Sequence, residues 1–454
     1  MYYLYNIIYY LMSIFNQKPL QLFLSAISVI VLGLAVEHIY RTYGPEPRAE
    51  PIHADPITGN ILPGEAPEDW RQRIEFVSKI PRVENQIIRD IESMVKSIEA
   101  ETPSPSDSLP QCNSLSQSAS KVTRCKGKYT NEFTEYVGEM FDKLAYGHGM
   151  MTYKPRGLKN IGEFKNGLED GHVIVKDDQG RVHYIGEKRN GLRNGSGALY
   201  LPDTFPTQSY IGQFSENEIH GYGKYDYGDR IYEGSFHNGL RHGQGEETWK
   251  NGNIKYVGNW AYDLRDGSGI LFRQGDIYEG NFKDHLEDGY GVYTYRSGDK
   301  ITGYFKLGLR HGQSSYYFKS GDIEECDNYY YDLANGNCTY RWDSGEYIKS
   351  VYVKGVLNGP QTEQVNGEIV TRHYKDNLVH GEEVRIFTNG DKRITNYKMG
   401  MRHGLQSYIF SYGEKHEKNF VNNKQDGISR FYYTSGDIEE CDFDMGEPLG
   451  CELK

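Results

Sequence analysis

Cysteine and tryptophan are scarce in this chain of 454 residues, and its 51 Lys and Arg residues are outnumbered by 63 Asp and Glu residues. It has six cysteines, none of them in a CxxC spacing, and four tryptophans. Six cysteines are too few for a disulfide scaffold in so long a chain, and the missing CxxC spacing argues against structural zinc. The formal net charge of −12 argues against nucleic acid as a partner, because neutralising phosphates requires a basic surface. Hydrophobic residues make up only 37%, so a thick globular core is not expected.

The motifs that carry common enzyme chemistry are also missing. No GxxxxGK(S/T) phosphate loop and no HExxH zinc motif occurs, and no GxG is followed by the third glycine of a dinucleotide-binding turn. The sequence therefore predicts no catalytic, cofactor-binding or metal-binding residues, and we interpret the protein as a non-enzyme.

The N-terminal region is apolar. Residues 1–19 are rich in tyrosine, and residues 20–40 contain an uncharged run from Leu20 to Val36 that predicts a single transmembrane helix. The alternative is a cleaved signal peptide, for which Gly33 and Ala35 supply a small-residue cleavage pattern. The weak bias of positive charge towards the C-terminal flank predicts that the rest of the chain is cytoplasmic.

Three segments of different character follow. Residues 41–67 are rich in proline and predict an irregular linker. Apolar residues at helical spacing across 68–101 predict an amphipathic helical segment, which either packs against the following domain as a cap or serves as a coiled-coil or partner-docking helix. Residues 102–128 are rich in serine and proline and predict a disordered linker.

One pattern fills residues 129–454. The stretches YEGSFHNGLRHGQG (232–245) and YEGNFKDHLEDGYG (278–291) align without gaps, and related stretches recur at intervals that settle at 23 residues. SGDIEECD occurs at 320–327 and again at 435–442, a displacement of five such units. The unit starts fall near residues 136, 160, 184, 210, 232, 256, 278, 301, 324, 347, 369, 393, 416 and 439. The chain is therefore a repeat array rather than a set of globular domains.

Each unit has two halves that favour β-strands. In YEGSFH, Tyr232, Gly234 and Phe236 alternate with polar residues and so share one face of a strand. NGLRHG supplies a turn in which Gly239 and Gly243 can take positive φ. We expect the strand glycines to leave flat slots on which an aromatic ring of the next unit lies, so that stacked hairpins bury an aromatic stripe.

These stretches resemble the MORN repeat (membrane occupation and recognition nexus), whose core is YxGxxxxGxxxGxG. The resemblance covers fourteen units between residues 136 and 450 and implies an all-β fold, an elongated single-layer antiparallel sheet of hairpins. The first eight units keep the early glycine of the motif. In the last six units we assign its place to Cys326, Lys349, Thr371, Thr395, Lys418 and Cys441. We expect aromatic stacking to weaken there, and we interpret Cys326 and Cys441 as drift within the repeat.

Charged and imidazole side chains recur at the turns. His220, His242, His311 and His403 share one turn position about a repeat apart, so they are interpreted as turn residues and not as a catalytic site. Arginines share the neighbouring position and predict a row along one sheet edge that contacts anionic phospholipid or a partner: Arg193, Arg241, Arg265, Arg310 and Arg402.

The sequence thus predicts a membrane-anchored, non-enzymatic scaffold that presents a repeat sheet to protein partners. Two alternatives are a structural subunit of a large membrane or viral assembly and a phospholipid-binding tether between membranes. The expected partners are the membrane, through the N-terminal helix, and proteins on the sheet; a homodimer is left open, and no nucleic acid or cofactor is expected.

Overall fold

A computed structural model of the chain describes residues 81–100, 109, 111–112, 124–252 and 254–454. The predicted transmembrane segment 20–40, its N-terminal flank 1–19, the linker 41–67 and the first part of the helical segment lie outside the described residues. Within the described part of the chain, no helix has the length and apolar character needed to cross a membrane.

The described chain folds as one α-helix, α1 (Pro81–Ala100), one short 3-10 helix (Lys154–Arg156) and one antiparallel sheet of 32 strands. The strands are β1 (Cys125–Thr130), β2 (Thr134–Phe141), β3 (Leu144–Tyr153), β4 (Leu158–Lys165), β5 (Leu168–Lys176), β6 (Val182–Arg189), β7 (Leu192–Leu201), β8 (Gln208–Ser215), β9 (Glu218–Asp226), β10 (Arg230–His237), β11 (Leu240–Trp249), β12 (Ile254–Ala261), β13 (Leu264–Arg273), β14 (Asp276–Lys283), β15 (Leu286–Thr294), β16 (Lys300–Lys306), β17 (Leu309–Tyr317), β18 (Ile323–Tyr330), β19 (Leu333–Ala334), β20 (Gly336–Arg341), β21 (Tyr347–Val353), β22 (Val356–Val365), β23 (Glu368–Lys375), β24 (Leu378–Val379), β25 (Gly381–Ile386), β26 (Lys392–Lys398), β27 (Met401–Ile409), β28 (Lys415–Val421), β29 (Lys424–Gln425), β30 (Gly427–Tyr432), β31 (Ile438–Asp444) and β32 (Glu447–Leu453).

The predicted sheet of hairpins is confirmed. Each repeat unit forms one hairpin, and its two central turn residues take positive φ, as at Asn238 (49°) and Gly239 (80°). Such a turn matches the right-handed twist of the strands, which explains the preference for Asn and Gly there. Gly243 also takes the positive φ predicted for it (80°). The sheet gains β1 before the first unit, and three return strands are each divided in two, namely β19/β20, β24/β25 and β29/β30.

A tyrosine placed over two glycines defines the hairpins of the first half. Gly258 pairs across the hairpin with Gly269, and the ring of Tyr256 lies against both. The Tyr256 hydroxyl donates a hydrogen bond of 2.9 Å to the carbonyl of Asn259, the residue at which the register with β13 shifts. The tyrosine therefore fills the space left by the glycines and satisfies a carbonyl at the bulge.

The same arrangement recurs along the sheet and corrects one expectation. The tyrosine that covers a glycine pair belongs to the same hairpin and not to the next unit. Equivalent hydroxyl-to-carbonyl bonds of 2.7–3.1 Å join Tyr136 to Glu139, Tyr184 to Glu187, Tyr210 to Gln213, Tyr232 to Ser235 and Tyr278 to Asn281.

The contact between units comes instead from a second aromatic residue. The Tyr232 ring lies edge-on to Phe236 of its own unit at 5.0 Å and to Trp260 of the next unit at 5.4 Å. This alternation forms one continuous buried row, which we call the aromatic spine: Tyr184, Phe214, Tyr210, Phe236, Tyr232, Trp260, Tyr256, Phe282, Tyr278 and Phe305. Edge-to-face packing at these distances is the favoured geometry for aromatic pairs. The face that carries the spine is called the spine face.

In the second half, two of the residues assigned to the glycine position prove wrong by one place. Strand pairing and the register shift between Ser350 and Tyr352 put Ser350, not Lys349, in that position. The pairing of Tyr374 with Val379 likewise puts Arg372 there instead of Thr371. An extra residue between Cys326 and Tyr329 shifts the alternation locally, which the spacing alone did not reveal.

Polar contacts replace the spine beyond the unit that starts at 324. Gln361 donates to the hydroxyl of Ser350 at 3.0 Å, and Gln406 donates to that of Thr395 at 2.9 Å. Arg372 binds the buried Glu383 at 2.7 Å, and this carboxylate together with that of Glu363 raises the pKa of Arg372 against the opposing effect of burial. The expected weakening of aromatic stacking is accompanied by a hydrogen-bonded interior.

Helix α1 covers the face opposite the spine, which we call the helix face. It begins at Pro81, where the missing N–H of proline needs no partner. Ile91, Val95 and Ile98 are buried against Ile185 and Ala198, and the helix crosses β5 to β9. In a later unit, the position of Ile185 is occupied by the polar Glu233. The helix therefore packs on the units whose helix face is apolar and not against the end of the array.

The cysteines differ most from expectation. All six form disulfides, Cys112–Cys125, Cys326–Cys338 and Cys441–Cys451. The first holds residues 111–112 against β1, so that part of the segment predicted to be a disordered linker is structured. The other two link paired positions of neighbouring strands. The interpretation of Cys326 and Cys441 as drift is therefore wrong.

We expect Gly258→Val to destabilise the array locally. A Cβ at this position would lie 2.5 Å from the Gly269 Cα and 2.6 Å from the Tyr256 hydroxyl, so we expect a loss of about 1–3 kcal/mol from overpacking. Gly450→Val is the matched control, because a Cβ there meets nothing within 4 Å. Hydrogen exchange of the two variants should show faster exchange only in the hairpins next to Gly258. Uniform acceleration along the array would contradict a chain of nearest-neighbour contacts.

Candidate functional site

The five predicted site arginines each contact the following unit. Arg241 lies over the Trp260 ring at 4.0 Å and donates to the Asp263 carboxylate at 3.0 Å. Arg310 lies over Tyr329 at 4.1 Å and donates to Asp332 at 3.1 Å. The remaining three stack in the same way, Arg193 over Phe214, Arg265 over Phe282 and Arg402 over Phe420. The row therefore stabilises the contact between units through cation–π and hydrogen bonds.

The turn that receives each arginine has a characteristic residue. In every repeat hairpin after the first, the second turn residue donates its backbone N–H to the carbonyl at the arginine position of the preceding unit, as Asp263 does to Arg241 at 3.0 Å. Where that preceding residue is arginine, the turn residue is Asn, Asp or His and accepts the arginine backbone N–H. The acceptors are Asn217, Asp263, His285, Asp332 and Asn423.

We call the contact between a turn and the preceding unit a joint, and from the unit that starts at 301 onward two kinds of joint alternate. The second turn residue is in order Gly308, Asp332, Gly355, Asn377, Gly400, Asn423 and Gly446. Where the second turn residue is glycine, it contributes only its backbone N–H to the joint. Where it is Asn or Asp, its side chain also accepts a hydrogen bond, as Asn377 does from the N–H of Leu357 at 2.8 Å. Joints with a glycine and joints with an acceptor thus follow each other along this half of the array.

The arginines are partly withdrawn from solvent. The side chain of Arg241 is 12% exposed, and burial lowers the pKa of both Arg193 and Arg265. Contact with anionic lipid would have to compete with the aromatic and carboxylate partners that these guanidinium groups already have. Lipid contact by the row stays a prediction.

The histidine position belongs to the same joints. His380 accepts the N–H of Met399 at 3.4 Å, while Asn335 and Asp426 at equivalent positions accept those of Lys354 and Met445 at 3.1 Å. His, Asn and Asp can each accept a backbone hydrogen bond, and they do so at these three positions, whereas the buried Nδ1 atoms of His242, His311 and His403 accept none. His242 lies among aromatic rings of the same turns, 5.1 Å from Tyr262.

Aspartates join the units at the opposite ends of the strands. The carboxylates of Asp299, Asp322 and Asp391 accept the backbone N–H groups of Lys319, Asp343 and Ser411 in the next unit at 2.8–2.9 Å. These backbone hydrogen bonds are the main reason why the pKa of each of the three carboxyls lies below its ordinary value. These residues belong to the recurring xGD turns, and sequence reasoning identified the turns but not the bonds between units.

A groove opens on the spine face where the spine ends. Ile301 and Glu324 occupy the tyrosine position in two successive units, and the groove of about 680 Å³ lies beside them. Its walls carry half-buried aromatic side chains. The ring centroids of Tyr293 and Tyr295 lie 4.7 Å apart, and those of Tyr316 and Phe318 lie 4.4 Å apart. Charged residues of both signs also line it: Arg273, Glu287, Arg310, Glu324 and Asp332. Sequence reasoning missed this groove, although the loss of tyrosine at 301 and 324 was visible.

A metal site does not follow from the one cluster of candidate ligands among the described residues. Glu439, Cys441 and Cys451 lie together, but the two sulfurs are bonded to each other. A disulfide sulfur is not the thiolate that binds metal ions.

Comparison with known proteins agrees with the repeat geometry. Eight segments match the family model described as MORN repeat: 161–172, 184–203, 210–230, 232–254, 256–277, 278–300, 302–323 and 328–347. The chain therefore carries MORN repeats. The matches end near the point where polar contacts replace the spine, whereas the hairpins continue to β32.

Similar proteins include Alsin. The chain is 27% identical to mouse Alsin over 261 residues, 54% of this chain and 14% of that protein, and 32% identical to rat Alsin over 90 residues, 18% and 6%. It thus spans less than a sixth of the length of these curated relatives. The Drosophila melanogaster SAS-4 TCP domain, solved with a proline-rich motif of Ana2, aligns at a TM-score of 0.23 and 16% identity over 34% of this chain and 84% of that one. At that TM-score the alignment carries no argument.

We expect Arg241→Gln to loosen the joint between its unit and the next without changing lipid binding. Loss of the charged hydrogen bonds should lower stability by about 1.5–3 kcal/mol. Arg296→Gln, at an exposed position, is the control. The measurements are chemical unfolding of the purified chain and cosedimentation with anionic liposomes. A selective loss of liposome binding in the Arg241 variant would support the lipid-contact interpretation of the row instead.

We expect the array to lose stability as the pH falls below about 4. A carboxyl whose folded pKa is depressed stabilises the fold above its unfolded pKa, and this contribution disappears as the pH falls through the folded value. Asp322→Asn should therefore unfold at a lower temperature at pH 7 and show a shallower loss between pH 5 and pH 3. Asp343→Asn, an exposed change one unit later, is the control. Equal pH slopes for wild type and Asp322→Asn would contradict the role of this bond.

Proposed function

We propose that the protein is a non-enzymatic, membrane-anchored scaffold that binds a protein partner through the groove on the spine face. The observation that carries this proposal is the break in the spine at Ile301 and Glu324, which exposes half-buried aromatic side chains beside charges of both signs. Aromatic residues and arginine contribute most of the binding energy at protein interfaces. MORN repeats are generally modules for protein or lipid interaction, which also supports the proposal.

The arrangement of the sheet supports this choice of surface. On the helix face, α1 already covers the apolar part over β5 to β9. On the spine face the tyrosines of most early units fill the glycine positions, so little room is left between units before the groove. Binding there would use side chains from several consecutive hairpins, as is usual for repeat arrays. The site arginines stabilise these hairpins, and a phospholipid tether receives less support from them.

Membrane attachment rests on the uncharged run Leu20–Val36. With the anchor in place, the scaffold would hold its partner at the membrane surface. The structural-subunit alternative differs in expecting partners to cover both faces of the sheet.

Partner capture from native membranes with matched variants tests the proposal. Arg273→Glu combined with Phe318→Ser changes the groove, and Phe272→Ser, an exposed residue on the other face beside Arg273, is the control. We expect the groove variant to lose a set of proteins that the wild type and the control both retain. Identical captured sets for all three would contradict binding at the groove.

The same preparation tests the anchor. Deletion of residues 1–43 should move the protein into the soluble fraction, while the full chain should resist carbonate extraction. Extraction of the full chain by carbonate would contradict the anchor and favour the signal-peptide alternative.

A further inference from the structure

Each of the six cysteines lies next to a second cysteine, which is not expected of cysteines that arose singly by drift. Cys326 pairs across strands with Cys338, and Cys441 pairs with Cys451, in the position that Gly258 and Gly269 fill in an earlier hairpin. Along the array, this cross-strand position carries cysteine on both strands or on neither. All six cysteines of the chain are in disulfides, and none is free. The cysteines are therefore a set of three pairs.

Duplication of the repeat does not explain the presence of the partner cysteines Cys338 and Cys451. Cys326 and Cys441 lie in the duplicated stretch SGDIEECD, but Cys338 follows its partner by 12 residues and Cys451 follows its own by 10. The residues around Cys338 and Cys451 differ, GNCTY against LGCEL. Each duplicated cysteine has thus acquired a partner in a different sequence context.

Two of the disulfides lie at the ends of the sheet, and the third lies where the spine has ended. Cys112–Cys125 holds the start of the edge strand β1. Cys326–Cys338 lies in the unit where Glu324 stands at the tyrosine position and the spine has ended. Cys441–Cys451 joins the last strand, β32, whose residues are all exposed, to β31. At the two ends of the sheet, a cross-link restrains strands that have no buried residue, β1 and β32.

We infer that the repeat array folds in an oxidising compartment, where its six cysteines are converted to three structural disulfides. Disulfides persist in such compartments and are rare in the reducing cytosol. The inference reverses the cytoplasmic side predicted from flanking charge, which depended on a single excess positive residue. It does not depend on what the groove binds.

The chemistry requires an oxidant of a defined class. A thiolate of one cysteine attacks the disulfide of a protein thiol–disulfide oxidoreductase and forms a mixed disulfide, and the second cysteine then displaces it. For each bond, two thiols lose two protons and two electrons, and the oxidoreductase leaves as a dithiol.

Thiol counting in the full chain tests the number of bonds. Cells that express the protein are quenched in acid and denatured with excess N-ethylmaleimide, so that free thiols are blocked before lysis can oxidise them. The sample is then reduced and labelled with a maleimide-linked polyethylene glycol that shifts its gel mobility. We expect six additions after reduction and none without it. Fewer than six additions after reduction overturns the inference.

Two variants assign the middle bond. Cys326→Ser leaves Cys338 free to react with N-ethylmaleimide, so four additions are expected after reduction, and the double variant Cys326→Ser/Cys338→Ser should give the same four. Every pairing gives four additions for the single variant, so the pairing is read from the peptide that carries N-ethylmaleimide before reduction. Modification of Cys338 supports the assigned bond, and modification of any other cysteine overturns it. The wild-type count remains decisive if either variant fails to accumulate.

Protease protection tests the compartment separately. In sealed vesicles with their cytoplasmic side outward, the array should resist an added protease until detergent opens the membrane. Digestion without detergent, even with six oxidised cysteines, overturns the assignment to an oxidising compartment.

Discussion

The packing of one tyrosine ring against two paired glycines is the constraint on which the array depends. Tyr256 can lie flat across Gly258 and Gly269 only because neither has a side chain, and burial of the ring raises the pKa of its hydroxyl. The hydroxyl then reaches the carbonyl of Asn259, which the bulge removes from regular pairing. The bulge shifts the register before the next aromatic residue, and Trp260 comes to lie between two tyrosines. Space, hydrogen bonding and stacking are therefore coupled within one hairpin.

Loss of that tyrosine changes what the sheet can present. Where Ile301 and Glu324 replace it, the interior opens into a groove, and beyond it the chain holds its strands together with Ser, Thr, Gln, Arg and Glu side chains and with disulfides. At the tyrosine and glycine positions, the first half is thus packed with aromatic rings and the second half with hydrogen-bonding side chains or a disulfide. The groove lies between them, where neither kind of contact is complete.

Periodicity was enough to predict the hairpins, their turns and the shared face of Tyr232 and Phe236, because strand alternation is a local property of the backbone. It could not identify which ring covers a glycine pair, because a residue of the same hairpin and one of the next unit satisfy the same spacing. The displaced assignments at Lys349 and Thr371 have a similar cause, since one inserted residue before Tyr329 is invisible to a 23-residue repeat. The site arginines were found by their spacing, but their partners, such as Asp263, lie 22 residues away and belong to a different turn.

The alternation of joints in the C-terminal half has a consequence for how such a chain can change in length. In a joint with Asn or Asp in its turn, the acceptor lies in the following hairpin, as Asn423 accepts the N–H of Arg402. In the joint of Gly400 it lies in the preceding hairpin, where His380 accepts the N–H of Met399. Removing one hairpin would bring together two halves of unlike joints, whereas removing two in succession would leave every remaining joint matched. By its joints, the repeating structural unit of this region is then a pair of hairpins of about 46 residues, twice the apparent repeat. Recombination that adds or deletes such pairs would alter the reach of the array while keeping every turn in a compatible setting.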